Sequence, residues 1–278
     1  MTPERLVDTR SGIGAPVAKV TDDNQLTIVV AGLSVTDSSG AQTVVPSGVS
    51  AVALNMTVVN PLAPGFLTVW PCDAPRPLAS NVNYNESQVV ANGVIAPVSA
   101  DGTVCVYSLS STDVVVDLAG WFSDSAFKGA TPTRLVDSRD GTGNQMGKLT
   151  SSTPITIPVR NITLDVSGQP ELVPDTATAV SLNVTIVDPD SEGFATVWPC
   201  SAARPATSNL NFTQGKVVAN NVIAPIGDGG SICVYTSVPA HLIVDISGWF
   251  NGGATNIFIG TTPKRFNDTR SGQGSVPL

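Results

Sequence analysis

Short runs in which apolar and polar residues alternate recur along the whole chain. In ALNMTVV at 53–59, Leu54, Met56 and Val58 share one face of an extended strand, and Asn55 and Thr57 share the other. Similar runs, such as FLTVWPC, TVCVYS and DVVVDLAGWF, are separated by turn sequences such as APG, ADG and DGG. No stretch shows an apolar stripe at helical spacing, and 25 glycines and 21 prolines interrupt the chain too often for long helices. The pattern predicts an all-β protein.

The chain contains two near-copies of one long segment. Residues 66–122 align without a gap with residues 194–250, at an offset of 128 residues, and 51–61 align with 179–189 at the same offset. A unit of this length is too long for a solenoid repeat and long enough to be a domain. We therefore expect two tandem β-sandwich domains of Ig-like or jelly-roll type, at 1–125 and 131–255, joined near 123–131 by the polar stretch SDSAFKGAT.

The four cysteines follow the same repeat. Cys72 and Cys105 are 33 residues apart, as are Cys200 and Cys233. Four cysteines allow three pairings, and only Cys72–Cys105 with Cys200–Cys233 gives each repeat the same self-contained structure; buried free thiols are the alternative. With one histidine and no CxxC motif the chain has no tetrahedral zinc set, and we expect no metal and no cofactor. Disulfides would indicate an oxidising location, extracellular or at the cell surface.

Charge and histidine content exclude several functions. A net charge of −8 argues against a nucleic-acid partner and against electrostatic binding to anionic lipid. No apolar run approaches the eighteen residues of a membrane span, so membrane insertion is not expected. His241 is the only histidine, and Asp113 takes its place in the first repeat, so the two repeats cannot share a histidine-based triad. We expect a protein that is not an enzyme.

Arginine is placed with unusual regularity. The pattern Arg-x-x-Asp-Thr/Ser-Arg occurs three times and holds six of the nine arginines, while Arg76 and Arg204 share a repeated Arg-Pro. The residues of the three segments are Arg5, Asp8 and Arg10, then Arg134, Asp137 and Arg139, and finally Arg265, Asp268 and Arg270. In an extended chain Arg5 and Arg10 point to opposite faces, whereas Asp8 and Arg10 share a face and could form a bidentate pair. The segment is either a structural clasp that holds each copy to its domain or a site for an acidic or sugar ligand.

The third segment is not followed by a domain-length sequence as the first two are. Residues 256–278 either open a third repeat of a longer array or close the second domain. Because NIFIG at 256–260 is apolar and strand-like, we expect residues 256–270 to pack on the second domain or on a neighbouring copy of the protein.

The chain also resembles a known repeat. RLVDTRSGIG, VALNMTVVNPLAPGFLTVWPC, RPLASNVNYNESQVVANGVIAPV, DGTVCVYS and VVVDLAGWF together are similar to a tandem β-repeat of secreted and cell-surface actinobacterial proteins. The resemblance covers nearly the whole chain, in both copies. It implies an extracellular, accessory, non-catalytic β-domain, without implying a ligand.

Two classes of function follow. The first is a structural or assembly module of a bacterial surface or secreted protein. The second is a glycan- or cell-surface-binding module with one site per repeat, since sugar sites combine exposed aromatic rings with amide and guanidinium donors. The candidate sugar-binding residues are Trp70, Arg76, Asn81, Asn83 and Trp121, repeated as Trp198, Arg204, Asn209, Asn211 and Trp249. Packing of the tryptophans on the disulfides is the alternative interpretation.

Overall fold

The computed structural model describes residues 3–36, 40–252, 258, 261 and 263. Every regular element in this part of the chain is a β-strand, which confirms the predicted all-β class. The first ten strands are β1 (Glu4–Asp8), β2 (Leu26–Val29), β3 (Ser34–Thr36), β4 (Gln42–Val44), β5 (Ala51–Val59), β6 (Gly65–Pro71), β7 (Val82–Tyr84), β8 (Val89–Pro97), β9 (Thr103–Ser108) and β10 (Asp113–Phe122). The next ten are β11 (Phe127–Asp137), β12 (Ile155–Pro158), β13 (Thr163–Val166), β14 (Gln169–Leu172), β15 (Ala179–Val187), β16 (Gly193–Pro199), β17 (Leu210–Phe212), β18 (Val218–Pro225), β19 (Ser231–Thr236) and β20 (His241–Phe250).

The strands form two bodies of the same architecture. In the first body, the sheets β1-β10-β5-β8 and β2-β9-β6-β7 are antiparallel, and β3 and β4 form a separate hairpin. Without the hairpin, the strands in sequence order form sheets 1-8-3-6 and 2-7-4-5, which is the jelly-roll order. The second body has the same order in β11-β20-β15-β18 and β12-β19-β16-β17, with the hairpin β13-β14. The predicted pair of β-sandwiches is confirmed, and its type is jelly-roll.

Alternation along the strands builds each core. In β5, Leu54, Met56 and Val58 are buried while Asn55 is exposed, as the pattern predicts. They pack with Val106 of β9, from the opposite sheet, in one apolar cluster, and the second body has its own equivalent cluster. Full burial of an aliphatic side chain contributes roughly 1.5–3 kcal/mol. Each body therefore has a complete core of its own.

Both predicted disulfides are present. The Cα atoms of Cys72 and Cys105 are 5.0 Å apart, and those of Cys200 and Cys233 are the same distance apart. In the first domain the bond joins Cys72, which directly follows β6, to Cys105 in the neighbouring strand β9. In the second domain it joins Cys200, which directly follows β16, to Cys233 in β19.

The second sandwich begins earlier than predicted. Strand β11 starts at Phe127, inside the stretch interpreted as a linker, and pairs there with the end of β20. Phe127 is fully buried against Phe122 and Phe250, which explains why this stretch joins the sheet instead of remaining a solvated connection. The connection between the sandwiches is therefore only 123–126.

The third Arg-x-x-Asp-Thr-Arg segment lies outside the described residues, and so do Arg265, Asp268 and Arg270. Of the preceding apolar stretch, Phe258 is described. Its ring lies 4.8 Å from that of Phe250, and its carbonyl oxygen accepts a hydrogen bond from Thr178 Oγ1 at 3.3 Å. Phe258 thus contacts the end of the second sandwich in the way that Phe127 contacts Phe122 at the end of the first.

Removal of one disulfide should destabilise one domain only. With Cys72→Ala and Cys105→Ala together, we expect the first domain to lose about 3–4 kcal/mol of unfolding free energy, because the bond closes a 33-residue loop. Cys200→Ala with Cys233→Ala is the matched variant for the second domain. Calorimetry should show a different transition moving in each variant; one shared shift in both would contradict independent cores.

Candidate functional site

The Arg-x-x-Asp-Thr-Arg segment is a clasp across the edge of its own sheet. In the first domain, Asp8 receives a bidentate contact from Arg10, with Nε 2.8 Å from Oδ1 and Nη2 2.6 Å from Oδ2. Arg5 donates to both carboxylate oxygens of Asp117 on the neighbouring strand β10, at 2.8 and 3.1 Å. Arg5 also lies 3.5 Å from Asp8. The clasp therefore links β1, the turn after it and β10.

The two arginines of a segment meet the same aspartate, which differs from the sequence-based expectation of opposite faces. A register shift lies between Arg5 and Val7, and the chain turns after Asp8, whose carbonyl oxygen accepts three turn amides. Gly14 makes this tight path possible: at φ +62°, a Cβ there would lie 1.9 Å from the carbonyl oxygen of Leu6. The bulge and the turn together redirect both guanidinium groups towards Asp8.

The second clasp has the same bonds in a drier environment. Arg139 contacts Asp137 at 2.9 and 2.6 Å, and Arg134 contacts Asp245 at 2.9 Å and Asp137 at 3.1 Å. The Asp245 side chain is 2% exposed, whereas its counterpart Asp117 is 25% exposed. Burial raises the pKa of Asp245 to about 6, and the hydrogen bonds from Arg134 only partly oppose this effect.

The first domain covers the outer face of the second domain's sheet, which explains this difference. Asn183 of β15 donates to the carbonyl oxygen of Ser80, and Asn92 of β8 donates to Asn183 Oδ1 at 3.4 Å. The backbone N–H of Asn221 in β18 donates in turn to Asn92 Oδ1 at 3.3 Å. We call this contact the seam: the edge of the first sandwich along β7 and β8, packed against the outer face of β15, β18 and β20.

An aromatic cluster closes one end of the seam. The rings of Phe122, Phe127 and Phe250 lie 4.8–5.8 Å apart, and Ile95 and Ala179 are buried with them. Ring pairs at these distances contribute roughly 0.5–1.5 kcal/mol beyond their buried area. Residues from both domains and from their connection thus share one apolar cluster.

At the other end the seam opens into a cleft of about 550 Å³. The first domain supplies Arg76 and Asn83, and the second supplies Arg134, Arg139 and Lys216. Apolar side chains from both domains complete the wall, among them Phe66, Leu78, Leu109 and Val217. The structure therefore brings one predicted sugar-site arginine and the second clasp to a single site.

The charges of the cleft are not fully compensated. Arg134 and Arg139 are paired with Asp137 and Asp245. Within the described residues, neither Arg76 nor Lys216 has a carboxylate partner. The Arg76 guanidinium lies 3.7 Å above the ring of Tyr107, which holds it in place and leaves its N–H groups free for a ligand. The cleft suits an anionic group.

Most of the other predicted sugar-site residues have structural positions. Trp70 and Trp198 are 3% exposed and donate to the carbonyl oxygens of Ala74 and Ala202 at 3.1 Å. Trp70 packs with the first disulfide.

Four further candidates are also engaged inside the protein, with one partial exception. Asn81 and Asn209 accept backbone N–H groups of Val69 and Val197 through Oδ1. Trp249 is buried and only Trp121, at the same place in the first domain, is half-buried. Neither tryptophan next to a disulfide can stack on a sugar, because its faces are covered by protein.

The second domain has an equivalent pocket with one wall fewer. Arg204 and Asn211, with Phe194, line a pocket of about 640 Å³, and Arg204 lies 3.7 Å above the ring of Tyr235. No residue of another domain lines it within the described part of the chain. The two pockets therefore share the arginine and asparagine but differ in charge.

Sequence reasoning missed Lys216, Leu78 and the seam asparagines. The first repeat has Gln88 at the position equivalent to Lys216, so a comparison of the two repeats could have pointed to this lysine. Asn92 and Asn220 occupy the same position in VVAN of both repeats, yet their spacing does not reveal which outward face another domain covers.

His241 takes part in a hydrogen bond that connects two elements of the second domain. His241 Nδ1 lies 3.0 Å from Ser138 Oγ, and Ser138 is fully buried and also accepts the amide of Leu242. Thr9 and Asp113 make the corresponding contact in the first domain at 3.1 Å. The pair holds the turn after the first strand of each domain to its last strand.

Two further features are absent from the described residues. Nowhere in them do three or more histidine, cysteine, aspartate or glutamate side chains form a group that could hold a metal ion. Nor do they include a helix with the length and apolar character to cross a membrane.

No protein-family model and no curated protein matches the chain. Among solved structures it is similar to the N-terminal CBM22-1–CBM22-2 tandem domain of Xyn10C from Paenibacillus barcinonensis, with 11% identity and a TM-score of 0.25, over 89% of this chain and 98% of that chain. It is also similar to the STIV MCP, with 6% identity and a TM-score of 0.26, over 89% of this chain and 95% of that chain. At these values neither likeness bears on function.

The buried clasp should make the second domain's stability depend on pH. The pKa of Asp245 is raised from 3.8 to about 6, so the unfolded state ionises first as the pH rises. We expect the unfolding free energy to fall between about pH 4 and pH 6, by up to about 3 kcal/mol, and then to level off. The lowered pKa of Asp137 acts oppositely, but only below its ordinary value of 3.8.

Asp245→Asn isolates this effect in urea unfolding at pH 4, 5, 6 and 7. The variant should lose the decline between pH 4 and 6, whereas Asp117→Asn, at the more exposed equivalent position, should keep it. An unchanged slope in Asp245→Asn would assign the pH dependence to another group.

Proposed function

We propose that the chain is an extracellular, non-catalytic structural module in which two jelly-roll domains act as one rigid unit of a bacterial surface or secreted assembly. The seam carries this proposal. Asn183 is 6% exposed, Thr185 1% and Ser247 9%, and all three lie on the outer sheet face that the first domain covers. Polar side chains lose hydration when they are covered, so a face that is buried and hydrogen-bonded in this way favours a single docked arrangement.

The connection between the domains supports the same conclusion. Only 123–126 separates β10 from β11, and the flanking phenylalanines are packed in the shared aromatic cluster. Gly129 also donates its N–H to Ser50 Oγ at 2.8 Å, which attaches β11 to the first domain. A connection this short and this well packed transmits orientation from one domain to the next.

The disulfides favour an extracellular location. One bond in each domain, with no free cysteine in the described residues, is typical of proteins that mature in an oxidising compartment. The resemblance to secreted and cell-surface actinobacterial repeats agrees with this location and with an accessory role.

A second candidate function is recognition of an acidic glycan in the cleft. The observation that favours it is the pair of cations without carboxylate partners, Arg76 and Lys216, beside the amide of Asn83 and the exposed side chain of Leu78. Guanidinium and amide donors next to an apolar surface suit a uronic-acid residue, whose carboxylate and ring face need different partners. Neutral glycans lack the group that the cations would recognise.

Truncation of one seam residue tests the rigid unit. Asn183→Ala removes the donor to the Ser80 carbonyl and the acceptor for Asn92, and should destabilise the docked arrangement by about 1–3 kcal/mol. Hydrogen exchange in β15 and β18 should accelerate. Asn55→Ala, the equivalent change on the exposed face of the first domain, should alter neither stability nor exchange at about 1 μM protein. Equal, small effects of the two variants would mean that the domains are not held by the seam.

Removal of one cleft cation tests the second candidate. Titration with oligogalacturonate should give a measurable affinity that falls about tenfold or more in Arg76→Ala, because a charged hydrogen bond contributes roughly 1.5–3 kcal/mol. Arg204→Ala is the matched control, since the pocket around Arg204 is not lined by Arg134, Arg139 or Lys216. Equal losses in both variants, or equal binding of a neutral oligosaccharide, would count against an acidic-glycan site.

A further inference from the structure

The seam is made from two different surfaces, and each has a counterpart elsewhere in the chain. The first domain contributes its edge, with the Ser80 carbonyl, Asn92 and Ile95; we call this the edge surface. The second domain contributes the outer face of its sheet, with Asn183 and Thr185; we call this the face surface. Because the domains are repeats, the second domain also has an edge surface and the first also has a face surface.

The edge surface of the second domain is only partly covered: the seam reaches its strand β18 at the backbone N–H of Asn221, whereas Ser208 and Ile223 are exposed. Its residues at the offset of 128 are Ser208, Asn220 and Ile223. Ile223 is 36% exposed, whereas Ile95 is 6% exposed within the seam cluster.

This free edge surface already has the geometry of the docked one. Asn220 donates to the carbonyl oxygen of Asn209, as Asn92 donates to that of Asn81, so the two amides are oriented alike. The chemistry that docks on Asn183 is therefore repeated in the second domain.

The face surface of the first domain is uncovered. Asn55 is exposed and Thr57 is half-buried, while Asn183 and Thr185 at the equivalent positions are buried. Asn55 Nδ2 lies 3.4 Å from Thr57 Oγ1, matching the 3.2 Å between Asn183 Nδ2 and Thr185 Oγ1. This face thus presents the same amide in the same orientation to solvent.

We infer that a second copy of the chain docks here, with the free edge surface of one molecule on the free face surface of the next, repeating the seam between molecules. This inference rests on the proposed assembly function and names its partner. In the contact, Asn220 donates to Asn55 Oδ1, Asn55 donates to the Ser208 carbonyl, and Ile223 becomes buried. The contact joins two different surfaces, so it does not close on itself as a twofold dimer does and extends into a linear array.

The electrostatics of the free face are compatible with such a contact. Asp117 on this face is already neutralised by Arg5 at 2.8 Å, as Asp245 is by Arg134. Covering the face buries an ion pair that is already formed, without leaving an unpaired charge.

Two blocked variants provide a complementation test. Asn55→Arg blocks the face surface and Ser208→Arg blocks the edge surface; both positions are exposed, so each variant should keep the wild-type melting temperature. Sedimentation should be measured from about 10 μM to about 1 mM protein. Two domains joined by a short linker have an effective concentration of about 1 mM, so a contact that forms between them can form between molecules in this range. The wild type should form a concentration-dependent series of oligomers, and each variant alone should remain a monomer.

An equimolar mixture of the two variants decides the geometry. It should give a dimer and nothing larger, because only one pair of intact surfaces remains between the two molecules. Thr27→Arg, on the outer face of the opposite sheet, should assemble like the wild type, and the milder Asn55→Ala and Asn220→Ala should weaken assembly about tenfold if an arginine variant misfolds.

A wild type that is monomeric at about 1 mM would overturn the inference, and so would assembly that persists in both blocked variants or a mixture without a dimer. Such a result would leave the rigid unit standing, because Asn183→Ala tests the seam within one molecule. Failure of Asn183→Ala to loosen the domains would instead remove the basis of both proposals.

Discussion

The arrangement of this chain depends on a polar sheet face that is buried without losing its hydrogen bonds. An amide or carboxylate that is covered and left unpaired costs more than an ordinary hydrogen bond returns, so a buried polar face is stable only when its partners are in place. Asn183 meets this condition through Ser80 and Asn92, and Ser247 through Ser181 at 3.0 Å. Because these partners must be aligned, the face accepts one orientation of the first domain.

The same constraint changes the electrostatics of a repeated motif. The clasps in the two domains have nearly the same bond lengths, yet Asp245 lies under the first domain and Asp117 faces solvent. Burial raises the pKa of Asp245, so the second clasp responds to mildly acidic pH. One sequence motif thus gains a different chemical property from the domain packed on it.

The seam also explains why the two predicted sugar sites are not equivalent. Arg76 and Arg204 are both stacked on a tyrosine at 3.7 Å, but only Arg76 faces a second wall with Arg134, Arg139 and Lys216. Trp70 and Trp198, expected to bind sugar, are instead 3% exposed, and Trp70 packs beside the first disulfide. The site with the greatest charge therefore belongs to the junction between the repeats.

The sequence by itself determined the features that depend on local patterns. Alternation along ALNMTVV and its equivalents determines which side chains enter each core, and the repeated spacing of Cys72 and Cys105 determines the pairing of the cysteines. Only the tertiary structure decided which outward face is buried, because Asn55 and Asn183 stand in similar sequences, both at outward positions of their strands, and only Asn183 is buried. A period of two assigns a residue to the outside of a sheet, but contact between residues such as Asn92 and Asn183, 91 positions apart, depends on the three-dimensional path of the chain.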